Sequence, residues 1–244
     1  MPRPKEPRKQ FPDVERRKIL NSSTLSLWSQ EGVEALKYLR EKRHLSDSII
    51  KEFQFGWCPK YINHELSGRI TMPIFDSYGE LIAFSSRDFD APKQYQHWHE
   101  SFDKSEYIYG LHLSKQEIIK QNYVIIVEGQ FDVTCLHSYG LRNTVGICGG
   151  ILSIVQLMQL MRYCSRFVLL FDPDKAGEHC NLKAIELFKQ WKLYKGGSEK
   201  NGMDMIVVNL PKDKDPDDFV IENSKEALLE LIKEKFDAQK SFTY

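Results

Sequence analysis

The second half of the chain repeats one pattern: a short apolar run, then a segment whose apolar residues recur at helical spacing. "NYVIIVEG" leads into "QFDVTCLHSYG", "TVGICGG" into "SIVQLMQLMRYCS", "RFVLLFD" into "KAGEHCNLKAIELFKQW", and "MDMIVVNLP" precedes "SKEALLELIKEKF". The apolar runs are too short for buried helices and read as strands. Strands alternating with helices at this spacing require a mostly parallel sheet covered on both faces, an α/β arrangement. Ser153 stands where it can cap the second of these helices.

The third run ends in "VLLFDPDKAG", which places Asp172 and Asp174, separated by Pro173, at the mouth of the most hydrophobic strand. In open α/β sheets ligands bind outside the carboxyl ends of the strands. Glu128 ends the first strand, Asp132 follows one helical turn later, and Asp215 and Asp217 come after the fourth. Six carboxylates converging on one rim would repel strongly at short range. Hard divalent cations that prefer oxygen ligands, Mg²⁺ or Mn²⁺, are the natural compensation. A single aspartate here would read as a helix cap or turn former. Successive strand ends that each finish in acid favour metal.

The first half reads differently. Residues 1–24 form a flexible basic arm, whose first 20 residues hold seven Lys or Arg against three Asp or Glu. "SQEGVEALKYLREKRHLSDSIIKEFQF" has helical spacing, with Ser46 as a helix cap. "RITMPIFDSYGELIAFSSRDFD" alternates and is broken by Ser-Tyr-Gly, the mark of a hairpin. Residues 92–116 are polar and aromatic, and are expected to wrap the hairpin as a loop and short helix. The expected division is a basic arm at 1–24, an α+β subdomain at 25–117, the parallel-sheet domain at 118–212, and a final segment with a helix at 213–244.

Composition narrows the class. Lys+Arg and Asp+Glu are both 34 in the 244 residues, so any nucleic-acid surface has to be a local patch. No apolar run reaches the ~18 residues of a membrane span, and "MPRPKEPRKQFPDVERRK" lacks the apolar stretch of a secretory signal. A cytoplasmic protein with no membrane partner is expected. The cysteines at 58, 135, 148, 164 and 180 are scattered without CxxC or CxxH spacing, which indicates neither a disulfide framework nor zinc. His97 and His99 in "QHWHE" read as a polar loop before they read as metal ligands.

"VEGQFD", followed about forty residues later by "FDPDKAG", resembles the ExxxD and DxD signatures of the Toprim fold. That fold is shared by DnaG-type primases, topoisomerases and several nucleases. The flanks narrow the resemblance. "YLREKRHLSDSIIKEFQFGWCP" looks like the opening of the DnaG-type catalytic core, and "GRITMPIFDSYGELIAFSSRDFD" is similar to that family's hairpin. "KSEYIYGL" resembles its element leading into Toprim, and "LPKDKDPDDFV" its DPD segment. The likeness runs from about residue 33 to 222, in order and spacing. Pro173 replaces the small residue usual between the two aspartates, and "CGGIL" replaces a Leu-Gly-Thr turn; neither removes a charge.

The resemblance implies a DNA primase that makes short RNA primers on single-stranded DNA from ribonucleoside triphosphates by metal-dependent nucleotidyl transfer. Glu128, Asp172 and Asp174 would be the central carboxylates; Asp132, Asp215 and Asp217 would complete a rim holding two or more Mg²⁺ or Mn²⁺ ions. Arg43, Arg69, Arg87, Lys93 and Lys104 match the basic residues that hold template backbone and incoming triphosphate. Such primases usually add a zinc-binding and a helicase-binding domain. Here neither is recognisable, so a replicative helicase or separate zinc-bearing protein is an expected partner, and the chain is either a minimal, viral or plasmid-borne form or a fragment. A Toprim nuclease would use the same acids without explaining residues 33–111, a topoisomerase would need a further cleavage domain, and a non-catalytic replisome module would have no use for intact acids.

Overall fold

The computed structural model describes residues 11–89, 96–98, 102–148, 150–194, 203–212 and 214–241. Two compact units divide the chain, Met1–Asp103 and Lys104–Tyr244. Among the described residues no helix is long and apolar enough to cross a membrane.

The first unit begins with α1 (Asp13–Leu27), α2 (Val33–Glu41) and α3 (Asp47–Glu52). Four strands follow: β1 (Gly56–Cys58), β2 (Arg69–Phe75), β3 (Leu81–Arg87) and β4 (Gln96–Trp98), in the antiparallel order β1-β2-β3-β4. The Ser46 hydroxyl accepts from the Ile49 N–H at 3.4 Å, capping α3 as expected. The β2–β3 hairpin turns on Asp76, whose carboxylate accepts from the N–H groups of Tyr78 and Glu80, and on Gly79 at φ +93°. A left-handed backbone there favours glycine.

Residues 13–24 do not continue the basic arm. They form most of α1, because Ile19, Leu20, Ser23 and Leu27 gather on one face and are buried. That face packs on β1 so closely that a Cβ on Gly56 would lie 2.5 Å from Ser23 Oγ and 2.6 Å from Thr71 Oγ1. The density of Arg and Lys masks this apolar stripe in the sequence. Residues 1–10 lie outside the described residues. Residues 92–116, expected as a loop and short helix, hold the single 3₁₀ turn Lys104–Glu106 and, beyond that expectation, a fourth strand, Gln96–Trp98, paired with β3.

The second unit holds α4 (Leu111–Gln121), β5 (Tyr123–Val127), α5 (Gln130–Ser138), β6 (Thr144–Gly146), α6 (Ile154–Leu160), β7 (Arg166–Leu169), α7 (Lys175–Tyr194), β8 (Asp204–Val207), α8 (Pro216–Asn223) and α9 (Lys225–Ser241). The sheet is wholly parallel, in the order β6-β5-β7-β8. From β5 the chain steps outward to β6, then crosses to β7 on the other side. The switch point therefore lies between the carboxyl ends of β5 and β7, the crevice where open α/β sheets bind ligands. The boundary with the first unit falls ahead of residue 117 for a visible reason. Leu111, Ser114 and Ile118 of α4 are buried, and Tyr109 pairs through backbone hydrogen bonds with Gly146 at 2.8 and 3.0 Å. Val124, Ile126, Phe167 and Leu169 form the apolar centre under the sheet. Ser153 caps α6 reciprocally with Gln156, as expected.

Because Leu27 is fully buried while Leu25 is 74% exposed on the same helix, Leu27→Ala should lower the unfolding free energy by about 2–4 kcal/mol. Leu25→Ala should change it by less than about 0.5 kcal/mol. Urea unfolding of both variants checks that α1 belongs to the folded unit.

Candidate active site

The acids reach the rim by different local devices. Glu128 follows the last residue of β5, and Gly129 then starts α5. Three residues into that helix Asp132 turns back, and its Oδ2 accepts from the Gly129 N–H at 2.9 Å. Beyond β7 the pairing persists for another residue, with the Leu170 N–H donating to the Ile126 carbonyl at 2.9 Å. Leu170 and Phe171 stay buried, and Asp172 then emerges beside Glu128. Pro173 stiffens the turn and contributes no N–H. Asp174 caps α7, its Oδ1 accepting from the Gly177 N–H at 2.8 Å. Asp215 stands at the N-cap of α8 with Pro216 at N1. Asp217 is buried in the first turn, its Oδ1 accepting from the Asp218 N–H at 3.0 Å.

Six carboxylates expected on one rim act on one another in the fold. Burial, reinforced by Asp215, Glu128, Asp174 and Asp217, pushes the Asp172 carboxyl up to about 7. Burial also raises Glu128; the Asp172 N–H opposes that shift, and Asp174 and Asp215 add to it. Asp132 is held well above the ordinary carboxylate range by burial, then by Asp217, Asp172 and Asp215. Ligand oxygens of Asp215, Asp217 and Asp218 all lie within 4.8 Å of one another. Asp218 is a neighbour the sequence reading passed over, although "DPDD" displays it.

This donor set fits a divalent cation. It consists of carboxylate oxygens, the ligands hard cations prefer. Glu128 Oε1 and Asp172 Oδ1 are buried without hydrogen-bond partners. A buried carboxylate oxygen left so is costly unless a charge meets it. Gly177 is shaped to the same place: a Cβ there would stand 2.0 Å from the Asp172 carbonyl oxygen and 3.0 Å from Glu128 Oε1. Glycine lets the first turn of α7 press against the rim. Its signal was in the sequence, as the last letter of "FDPDKAG", but only the packing gives it a reason.

The basic residues are distributed between the units. Arg69 opens β2 and lies 3.7 Å from Asp88, with its Nη1 buried and without a hydrogen-bond partner. Arg87 closes β3 and is buried, while Arg43 donates from Nε to the Tyr38 hydroxyl at 3.0 Å. These belong to the first unit. Lys104 belongs to the second, where burial lowers its pKa and the nearby Cys148 opposes that shift. Lys93 lies outside the described residues, as does His99.

Two outcomes test the rim. Asp172 holds its proton more tightly folded than unfolded, so its stabilising effect is full below the unfolded value of about 3.9. That effect is lost as pH rises to about 7. In metal-free buffer above pH ~7, Asp172→Asn should therefore be more stable than the parent by about 1–2 kcal/mol, a value reduced for solvent screening at the rim. The gap should close below pH ~4, and added Mg²⁺ should narrow it by stabilising the parent. Thermal unfolding across pH, with and without Mg²⁺, measures this. Gly177→Ala should weaken Mg²⁺ binding at least ~10-fold, because the methyl group displaces Asp172 and Glu128; calorimetric titration is the check.

Residues 122–195 match the Toprim domain family. The curated DNA primase of Synechocystis sp. is 34% identical over 250 aligned positions, covering 86% of this chain and 38% of that protein. The chain thus spans less than half the length of this relative. Among solved structures, the zinc-binding and RNA polymerase domains of the Aquifex aeolicus primase superpose with a TM-score of 0.76 at 25% identity. The match covers 91% of this chain and 60% of that one. A DnaG primase catalytic domain bound to single-stranded DNA gives a TM-score of 0.80 at 23% identity, covering 91% and 80%. With the Toprim sheet, the antiparallel unit ahead of it and the rim of acids in one chain, this protein belongs to the DnaG-type DNA primase family and corresponds to part of the full-length primases.

Proposed function

We propose that this chain synthesises short RNA primers on a single-stranded DNA template by metal-dependent nucleotidyl transfer. The observation that carries the reading is the rim itself: Glu128 and Asp172 flank the switch point with buried, unpartnered oxygens, in a chain that matches DNA primases over most of its length. Glu128, Asp172 and Asp174 hold two or more Mg²⁺ or Mn²⁺ ions, with Asp132, Asp215 and Asp217 completing the shell directly or through water. Bound there, the ions supply Lewis-acid charge to the primer hydroxyl, the α-phosphate and the departing pyrophosphate.

The protein's own residues do the rest. Asp132, tied back to the Gly129 N–H, fixes the start of α5. Asp174, fixed by the Gly177 N–H, presents its remaining oxygen at a constant angle. Arg43, Arg69, Arg87, Lys93 and Lys104 hold template phosphates and the triphosphate, Arg as a bidentate fork and Lys as a point charge. Ribonucleoside triphosphates and the DNA template are the substrates of this reading. A replicative helicase or a zinc-bearing protein is the partner of this reading.

The test supplies labelled ribonucleotides and single-stranded DNA with Mg²⁺, Mn²⁺ or chelator. Short RNA products that vanish with chelator are expected, and Asp172→Asn or Asp174→Asn should lower their yield at least ~100-fold while the fold persists. Degraded template without RNA would replace the reading with a nuclease. Full synthesis by either variant would remove the metal assignment.

A further inference from the structure

The first unit has a surface hollow in which the acid rim has no part. It lies where the outer face of α1 meets the 3₁₀ turn Gln30–Gly32 and the loop after β1. Its volume is about 610 Å³. Two large side chains stand at its walls and remain open to solvent, Leu25 at 74% exposure and Tyr61 at 73%. Apolar residues scattered singly over a surface need no explanation, but two on the walls of one hollow mark a contact site.

The charges around the hollow have a symmetric layout. Lys18, Ser22 and Leu25 follow one another at helical spacing and share one face of α1. Lys18 stands four residues before Ser22, about 6 Å along the helix. The Glu31 carboxylate is held at the level of Ser26, four residues after Ser22 and about 6 Å the other way. Its Oε2 accepts from the Tyr61 hydroxyl at 2.5 Å and from the Ser26 hydroxyl at 3.4 Å. The turn that carries Glu31 is itself fixed. The Ser29 hydroxyl accepts from the Glu31 N–H at 3.2 Å, and a Cβ on Gly32 would stand 2.3 Å from the Leu27 carbonyl oxygen. Among the described residues neither Lys18 nor Glu31 takes part in an ion pair.

We propose that this face joins two copies of the chain. The α1 helices cross antiparallel about a two-fold axis at Ser22, whose small side chain lets them approach. Lys18 of each copy then meets Glu31 of the other, and Leu25 of each enters the other's hollow. An isologous contact needs one self-complementary patch, and an acid and a base equidistant from a small residue provide it. A parallel approach would set Lys18 against Lys18 and Glu31 against Glu31. A foreign partner would need its own acid and base at the same spacing, which a second copy supplies by symmetry. The patch is small, so the dimer is weak and concentration-dependent. Every residue in it belongs to the first unit, and none belongs to the acid rim.

Sedimentation velocity of the full chain from ~5 to ~500 µM tests this. A monomer–dimer equilibrium with a Kd of about 10–100 µM is expected, tightening as salt is lowered. Lys18→Glu and Glu31→Lys should each raise the Kd at least ~10-fold, since each creates two like-charge contacts per dimer. The double variant restores opposite charges at both contacts and should return to within ~3-fold of the parent. An equimolar mixture of the two single variants should associate more tightly than either alone. Both restorations keep the altered side chains, so they separate a lost contact from a lost fold. Leu25→Asp should abolish association. A parent that stays monomeric to ~500 µM, association that ignores both charge reversals, or a double variant no better than the singles would each overturn the pairing. Primer synthesis by a monomeric parent would overturn the pairing alone and leave the proposed function standing.

Discussion

Parallel pairing of β5 with β7 sets the register on which the rest of the second unit depends. Ile126 lies opposite Leu169, and the Leu170 N–H extends the ladder to the Ile126 carbonyl. Two residues beyond Ile126 and three beyond Leu169 the strands release Glu128 and Asp172 side by side. Their carboxylates repel, and burial makes that worse. What holds them is the apolar mass beneath: Val124, Ile126, Val127, Phe167, Val168 and Leu169 are all fully buried. Each such side chain contributes about 1.5–3 kcal/mol on leaving water. The sum exceeds what a few like charges at a half-open rim cost. A register slip of one residue would send these side chains to the wrong face and separate the acids together.

Helix starts are the second device. Asp174 and Asp132 each accept a backbone N–H in the first turn of a helix, so one oxygen is committed to structure. The reading of an aspartate as a cap and its reading as a metal ligand are therefore compatible, since a carboxylate has lone pairs for both. The helix N-terminus also offsets part of the negative charge gathered there. Asp172 and Glu128 are the ones left with unpartnered oxygens.

The parallel sheet, its helices and the acid rim could be read from the residues because strand burial, helical spacing and strand-end acids are local signals. Ser46 and Ser153 were legible as caps for the same reason. What escaped depends on contacts far apart in sequence. The stripe Ile19, Leu20, Leu27 is short and embedded in Arg and Lys, so composition pointed to a flexible arm. The strands β1 and β4 have three residues each, too few for alternation to register. Strand order, and with it the switch point, has no sequence signature at all. Gly177 and Asp218 looked like neighbours of a motif until packing gave them positions within it.

The seat of α1 bears on how this unit can be cut, fused or exchanged. Phe11, just ahead of the helix, is buried with Ile19, Leu20, Cys58 and Phe84 in one apolar cluster. An engineered junction, whether a tag, a linker or a transplanted recognition module, therefore has to join ahead of Phe11. A junction placed inside α1 at the apparent end of the charged stretch would strip one wall from the hairpin and expose Phe84 and Cys58 to solvent. The segment that looks most expendable in the sequence is thus the lid of a core, and modular exchange at this end of the protein has to carry it along.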